Sequence, residues 1–204
     1  MVVWLDLLGV LETIIKQLHA TFGNVFIVGV TGNHGRNTHK PRAKRRNHSN
    51  FDWLLYQILR RRFSDNERIT FLIPDGPDAI FKLYSHRYCL THGDQFRGGD
   101  GIIGPLGPIT RGDIKKRSRQ AQMQAGYDTL LMGHFHQLIQ LHSMIVNGSL
   151  KGYDEYASQL NFKFESPRQA MWVTHPEIGI TFSMPVYAER PGSVPNADWA
   201  SVPA

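Results

Sequence analysis

Histidine and asparagine side chains recur in three short segments of this chain, each directly after an apolar run typical of a β-strand. The segments are Gly32–Gly35 (Gly-Asn-His-Gly), Thr91–Asp94 (Thr-His-Gly-Asp) and Gly133–His136 (Gly-His-Phe-His). Amide oxygens and imidazole nitrogens bind Mn²⁺, Fe and Zn²⁺, and an α/β fold can bring such donors together from separate loops. The pattern predicts a cation site. Its expected ligands are Asn33, His92, His134 and His136, with His34 left over as a proton donor.

In this order, the three segments resemble the last three signature blocks of the calcineurin-like metallophosphoesterases, over about residues 25–145. The resemblance implies an α/β fold, a sandwich of mixed β-sheets flanked by helices. It implies that Asn33, His92 and His134 bind the second of two divalent ions (Mn, Fe or Zn), and that His136 reaches the first. It also gives His34 the role of protonating the leaving oxygen.

The first two blocks of that family, Asp-x-His and Gly-Asp-x-x-Asp, have no counterpart before Asn33. The acidic residues in that region are Asp6 and Glu12, and both fall inside a predicted helix. We therefore expect the natural protein to be longer at its N-terminus and this chain to lack the first βαβ portion of the fold; the alternative is a degenerate domain. A chain without these blocks would bind at most one divalent ion tightly and hydrolyse diesters near background, even with excess Mn²⁺.

Positive charge is concentrated close to these segments. The net charge is +6, and basic clusters lie at 40–46, 60–62 and 115–119. Such clusters attract polyanions, although each can also be a solvated helix end or loop. Arg36 is the predicted phosphate clamp because a guanidinium holds two oxygens at once. His39 and His48 in the basic loop are minor candidates for substrate contact.

These observations predict a metal-dependent phosphodiesterase, with DNA or RNA as candidate substrates. The first alternative is a catalytically inactive phosphoesterase-fold protein with a nucleic-acid-binding or assembly role, and the second is a phosphomonoesterase. No apolar run reaches the ~20 residues that a bilayer requires. The sequence therefore favours a soluble cytoplasmic protein that does not contact a membrane.

Apolar periodicity predicts helices near 3–20, from Phe51 and over 113–124, and strands at 25–30, 69–73, 79–84, 87–91, 129–132, 138–146 and 170–184. Gly/Pro-rich residues 95–111 are predicted to form a loop, either a mobile substrate loop or an ordinary surface loop. Residues Gly99–Gly104 in this loop match a dinucleotide-binding fingerprint. We discount the match because no βαβ unit is predicted around it. Cys89 is predicted to be a buried structural thiol. We expect one domain over 1–188 and a loose tail over 189–204.

Overall fold

The fold is a mixture of helices and strands, in a computed structural model that describes residues 2–40, 42, 44–96, 104–153, 155–159 and 164–188. The helices are α1 (Val2–Phe22), α2 (Phe51–Arg62), α3 (Leu106–Gln122) and α4 (Glu155–Gln159), and a 3₁₀ turn at Asn47–Ser49 precedes α2. The strands are β1 (Val25–Val28), β2 (Ile69–Leu72), β3 (Asp78–Leu83), β4 (His86–Thr91), β5 (Thr129–Met132), β6 (Ile139–Leu141), β7 (Met144–Val146), β8 (Arg168–His175) and β9 (Gly179–Tyr187). The α/β class predicted from the sequence is confirmed.

A mixed five-stranded sheet forms the centre of the fold, in the order β3-β4-β5-β7-β6. Strands β4, β5 and β7 run parallel, while β3 and β6 are antiparallel to their neighbours. Every residue of β5 is buried, as expected for a parallel strand covered on both faces. The carboxyl ends of β4 and β5 therefore lie at the same edge of the sheet.

Side chains of the central strands alternate between two apolar layers because successive residues of a strand point to opposite faces. Cys89 and Leu130 pack in one layer with Ile109 of α3. Tyr88 and Leu131 pack in the other layer, against the antiparallel β8–β9 hairpin. Cys89 is fully buried, as predicted, and burial raises the pKa of its thiol to about 12.

Strands β1 and β2 form a separate parallel pair. The buried side chains around them come from both neighbouring helices: Leu8 and Ile15 from α1, and Leu55 and Leu59 from α2. This cluster fixes β1 against α2, and the loop after β1 runs back to the amino end of α2. The backbone of Arg36 forms an isolated antiparallel bridge with Asn50 there.

Helix α2 begins at Phe51, as predicted from the sequence, and Asn50 is its N-cap. The side-chain oxygen of Asn50 accepts a hydrogen bond from the Asp52 amide at 2.8 Å, which satisfies one of the amides that a helix leaves unpaired. Arg60, Arg61 and Arg62 lie in its last turn, where positive charge interacts favourably with the helix dipole. This position supports the helix-end interpretation of that basic cluster.

Helix α3 starts earlier than predicted. The sequence indicated a loop through residue 111, but α3 begins at Leu106, with Pro105 as its N-cap and Pro108 in its first turn. The first amides of a helix have no intrahelical acceptor, so a proline there loses no hydrogen bond and its fixed φ suits the helix. The discounted Gly99–Gly104 segment and the predicted tail from residue 189 lie outside the described residues, apart from Gly104.

Among the described residues, no helix is long and apolar enough to cross a bilayer.

Two helical glycines give a matched test of the packing. A Cβ at Gly112 of α3 would overlap the ring of Phe96, whereas a Cβ at Gly9 of α1 would meet nothing within 4 Å. We expect Gly112→Ala to lower the free energy of unfolding by about 1–3 kcal/mol through overpacking. Gly9→Ala should raise it by about 0.5–1 kcal/mol, because alanine loses less backbone entropy in a helix. Urea unfolding followed by circular dichroism measures both, and effects of the same sign would contradict this packing.

Candidate metal centre at the carboxyl edge of the sheet

Two of the predicted histidines lie on adjacent loops at one edge of the central sheet. His92 directly follows β4, and His134 comes two residues after the end of β5. The Gly133 amide donates a hydrogen bond to the His92 carbonyl at 3.1 Å, which joins the two loops. The two imidazole rings are 5.0 Å apart between centroids, at an angle of 66°. The strand pairing therefore brings together side chains that are 42 positions apart in sequence.

Asn33 reaches the same place from the loop after β1. Its side-chain oxygen lies 2.7 Å from Nε2 of His92. The preceding residue, Gly32, is held on both sides: its amide donates to Asp52 and its carbonyl accepts from Asn50, each at 2.8 Å. The amino end of α2 thus positions Asn33 through the backbone of Gly32.

The backbone at these loops is unusual. Gly93 has φ +119°, and a Cβ there would lie 2.9 Å from the Cβ of His134. His134 and His136 have φ values of 71° and 55°, in the left-handed region that non-glycine residues seldom adopt. Such conformations cost about 1–3 kcal/mol each and occur where the surrounding structure enforces them, often at functional sites. Close packing of the two loops is what enforces them here.

Both imidazoles at this edge favour the neutral form. Burial, together with the neighbouring His134, lowers the pKa of His92 to about 4. Burial likewise lowers the pKa of His134, against the opposing effect of Asp94. A neutral imidazole has a lone pair that can bind a cation. Both imidazoles could therefore act as metal ligands at neutral pH.

Asp94 supplies a negative charge beside the two imidazoles. Its Oδ2 accepts a hydrogen bond from Arg46 at 2.7 Å, and its side chain is 10% exposed. Its Oδ1 is buried and has no hydrogen-bond partner among the described residues. A buried carboxylate oxygen without a partner is costly, and a nearby cation would relieve that cost.

This donor set could hold one divalent ion. Asn33, His92 and His134 supply one amide oxygen and two neutral imidazoles, with Asp94 nearby for charge compensation. Within the described ranges, no three histidine, cysteine, aspartate or glutamate side chains are grouped so as to hold a metal ion. A cation at this edge would therefore depend on the Asn33 oxygen.

The other predicted functional residues lie around this centre. His34 is exposed, and it is close enough to His92 and His134 to lower the pKa of both. His136 also lowers the pKa of His134, but it lines a different cavity, with Tyr153 and Glu165 among its neighbours. The roles assigned to these residues from the sequence stay predictions.

Arg36 lines a small cavity next to the centre, which we call the arginine pocket. Its walls are formed by Gly32, Arg36, Thr38, Arg42, Arg46 and Ser49. Arg42 and Arg46 were not singled out from the sequence, although both belong to the basic cluster 40–46 that follows the Asn33 loop. His48 has structural partners instead: its ring packs 4.9 Å from that of Trp53, and its Nε2 lies 3.4 Å from Asp75.

Several solved structures are similar to this chain at low identity. Wild-type Vps29 complexed with Zn²⁺ from Entamoeba histolytica is 14% identical, with a TM-score of 0.40 and with 86% of this chain and 88% of that chain covered. Vacuolar Protein Sorting 29 from Cryptosporidium parvum is 10% identical, with a TM-score of 0.35 and coverage of 80% and 96%. A conserved predicted phosphoesterase from Streptococcus pneumoniae is 12% identical, with a TM-score of 0.28 and coverage of 72% and 79%.

No family model matches the chain, and no curated protein is significantly similar to it. At TM-scores of 0.40 and below, the structural likeness decides neither the family nor the function. The function is therefore inferred from the residues of this chain.

The lowered pKa of His92 predicts how stability changes with pH. The unfolded chain takes up a proton near pH 6.5, whereas folded His92 does so near pH 4. The free energy of unfolding contributed by this group is fully present above pH 6.5 and is lost as the pH falls towards 4. Glutamine does not titrate, so the free energy of unfolding of His92→Gln should fall less with decreasing pH than that of the wild type.

Urea unfolding at pH 7 and pH 5, with EDTA present to remove metal, measures this difference. His142→Gln, at an exposed position, is the control and should follow the wild type. An equally steep fall in the wild type and in His92→Gln would show that His92 does not carry this pH dependence.

Proposed function

We propose that this protein is a metal-dependent phosphodiesterase that acts on nucleic acid. One observation carries the proposal: side chains from three separate loops meet beside an arginine-lined pocket, with Asn33 Oδ1 at 2.7 Å from His92 and the His134 ring next to it. Neutral donors for a cation and guanidinium groups for phosphate thus adjoin each other. This combination matches a phosphate ester better than it matches an uncharged substrate.

Each group of residues has a separate role in the proposed reaction. Asn33, His92 and His134 would hold the cation, which when bound supplies a Lewis acid for the phosphoryl oxygens and lowers the pKa of a bound water. His34, exposed at the edge of the centre, would donate a proton to the leaving oxygen. Arg36 lines the adjoining pocket and would hold two oxygens of a phosphate of the substrate.

Asp94 is the carboxylate beside both imidazoles, and within the described residues no three histidine, cysteine, aspartate or glutamate side chains are grouped so as to hold a metal ion. The described residues therefore do not support the two-ion mechanism that the sequence resemblance implies. This observation favours a second candidate function, a protein that binds phosphate groups without cleaving them. Both candidates predict salt-dependent binding of nucleic acid, so a binding measurement does not separate them. Metal-dependent turnover does, because only the phosphodiesterase predicts it.

Metal stoichiometry tests the centre directly. Calorimetric titration with Mn²⁺ should give at most one tightly bound ion per chain. Asn33→Ala and His134→Ala should each weaken binding by about 10–100-fold, a range typical for disturbing a metal site. His136→Ala and the control His142→Ala should leave it nearly unchanged. Two tightly bound ions, or an equal loss in His136→Ala and His134→Ala, would contradict this ligand set.

Turnover tests the proposed reaction. Bis-p-nitrophenyl phosphate hydrolysis by the protein is measured with Mn²⁺ and with EDTA. The proposed function requires hydrolysis that depends on the metal. Turnover at background with Mn²⁺ would favour the candidate that binds phosphate groups without cleaving them, and a preference for p-nitrophenyl phosphate would identify a phosphomonoesterase.

Replacing the proton donor should affect substrates unequally. In the active form, His34→Asn should lower kcat by about 10²–10⁴-fold on a dinucleotide, whose leaving alkoxide needs protonation, with metal content unchanged. The loss should be much smaller on bis-p-nitrophenyl phosphate, because nitrophenolate leaves without a proton. An equal loss on both substrates would remove His34 from this role.

A further inference from the structure

The arginine pocket contains more positive charge than its surroundings neutralise. Arg46 is paired with Asp94 at 2.7 Å. The guanidinium groups of Arg36 and Arg42 have no acidic partner in the part of the chain that the structure describes. Asp52, a carboxylate close to the loop, already accepts a hydrogen bond from the Gly32 amide. Two cationic side chains therefore share the pocket without a counter-charge.

The pocket also has a hydroxyl group available. The Thr38 hydroxyl donates to the carbonyl of Lys40 at 2.8 Å, so its proton is already used. The Ser49 hydroxyl has no hydrogen-bond partner among the described residues. Guanidinium groups and hydroxyl donors bind tetrahedral oxyanions. The planar guanidinium of arginine can donate two parallel hydrogen bonds to two phosphate oxygens.

The enclosed part of the pocket has room for about one water molecule. A phosphate group would consequently lie across the mouth of the pocket rather than inside it, within reach of Arg36 and the exposed Arg42. A ligand that lies across a mouth can continue in both directions. This shape suits a strand with repeated phosphates.

The pocket and the candidate metal centre share a wall. Gly32 lines the pocket, and a Cβ at Gly32 would lie 3.0 Å from Cε1 of His92. The Arg46–Asp94 ion pair joins the two regions a second time, because Asp94 also acts on the pKa of His92 and His134. A strand with one phosphate at the histidines would therefore run towards the adjoining arginines.

We propose that the arginine pocket binds the backbone phosphate that flanks the reacting one in a single nucleic-acid strand, with Arg36 and Arg42 as its principal ligands. The pocket thus selects a polynucleotide over an isolated diester. This proposal deepens the proposed function and shares its substrate. Binding is measured without metal, however, so either proposal can fail while the other stands.

Fluorescence anisotropy of a labelled twelve-residue oligothymidylate, in EDTA and at several salt concentrations, tests the pocket. We expect Arg42→Ala and Arg36→Ala each to weaken binding about tenfold or more, the scale of a charged hydrogen bond. Each should also reduce the slope of log affinity against log salt by about 0.7, the value for one lost phosphate contact on a single strand. Arg42→Lys should bind more tightly than Arg42→Ala but less tightly than the wild type, because lysine keeps the charge but lacks the planar guanidinium that binds two oxygens.

Lys44→Ala is the matched control: it removes the same charge from the same basic cluster, but Lys44 does not line the pocket. Its affinity should stay within about twofold of the wild type. Equal losses in Lys44→Ala and Arg42→Ala would overturn the proposal in favour of a diffuse basic loop. Unfolding midpoints of all variants should match the wild type, so that a change in binding reports the pocket and not the fold.

Competition with inorganic phosphate, against sodium chloride of equal ionic strength, distinguishes the source of the phosphate. We expect phosphate to displace the oligonucleotide from the wild type slightly more than sodium chloride does. In Arg42→Ala, phosphate and sodium chloride should have the same effect. If Arg42 is needed for binding of free phosphate but not of the oligonucleotide, the pocket serves a small phosphate and the strand proposal is wrong.

Discussion

The parallel pairing of β4 with β5 is the constraint on which the candidate centre depends. It places the two histidine loops at one edge of the sheet, and the Gly133–His92 backbone hydrogen bond holds them together. The left-handed backbone at His134 and the glycine at position 93 follow from this close approach. An antiparallel pairing would have sent the two loops to opposite edges, so the donors could not have met.

Side-chain hydrogen bonds take the place of regular structure in the loop between β1 and α2. Asn47 is almost fully buried and bonds to Thr31 and to the carbonyls of Pro74 and Gly76, while Asn50 and Asp52 hold Gly32. Buried polar groups of this kind must be paired, and here the pairing fixes the path of the chain. The loop therefore presents Asn33 to the histidines on one side and its arginines to the pocket on the other.

Charge decides what the centre can hold. Two neutral imidazoles and an amide oxygen bind a cation without compensating it, and Asp94 is the one carboxylate that the described structure shows acting on both imidazoles. Because Arg46 already neutralises part of that carboxylate, the net negative charge is small. A single divalent ion, aided by an incoming phosphate, is consistent with this balance, whereas two ions would need further carboxylates.

Sequence alone determined the residue types of the centre and the elements that carry them. Strand ends at residues 91 and 132, the Asn50 cap and the buried thiol of Cys89 follow from local patterns of apolar residues and of polar groups at element ends. The start of α3 was missed because two prolines and a run of glycines suggest a loop, although prolines suit a first helical turn. Only the tertiary structure decided which loops meet, that Arg46 pairs with Asp94, and that Arg42 joins Arg36 around one pocket. Those contacts join residues far apart in sequence, and they depend on strand pairing and burial that no local pattern encodes.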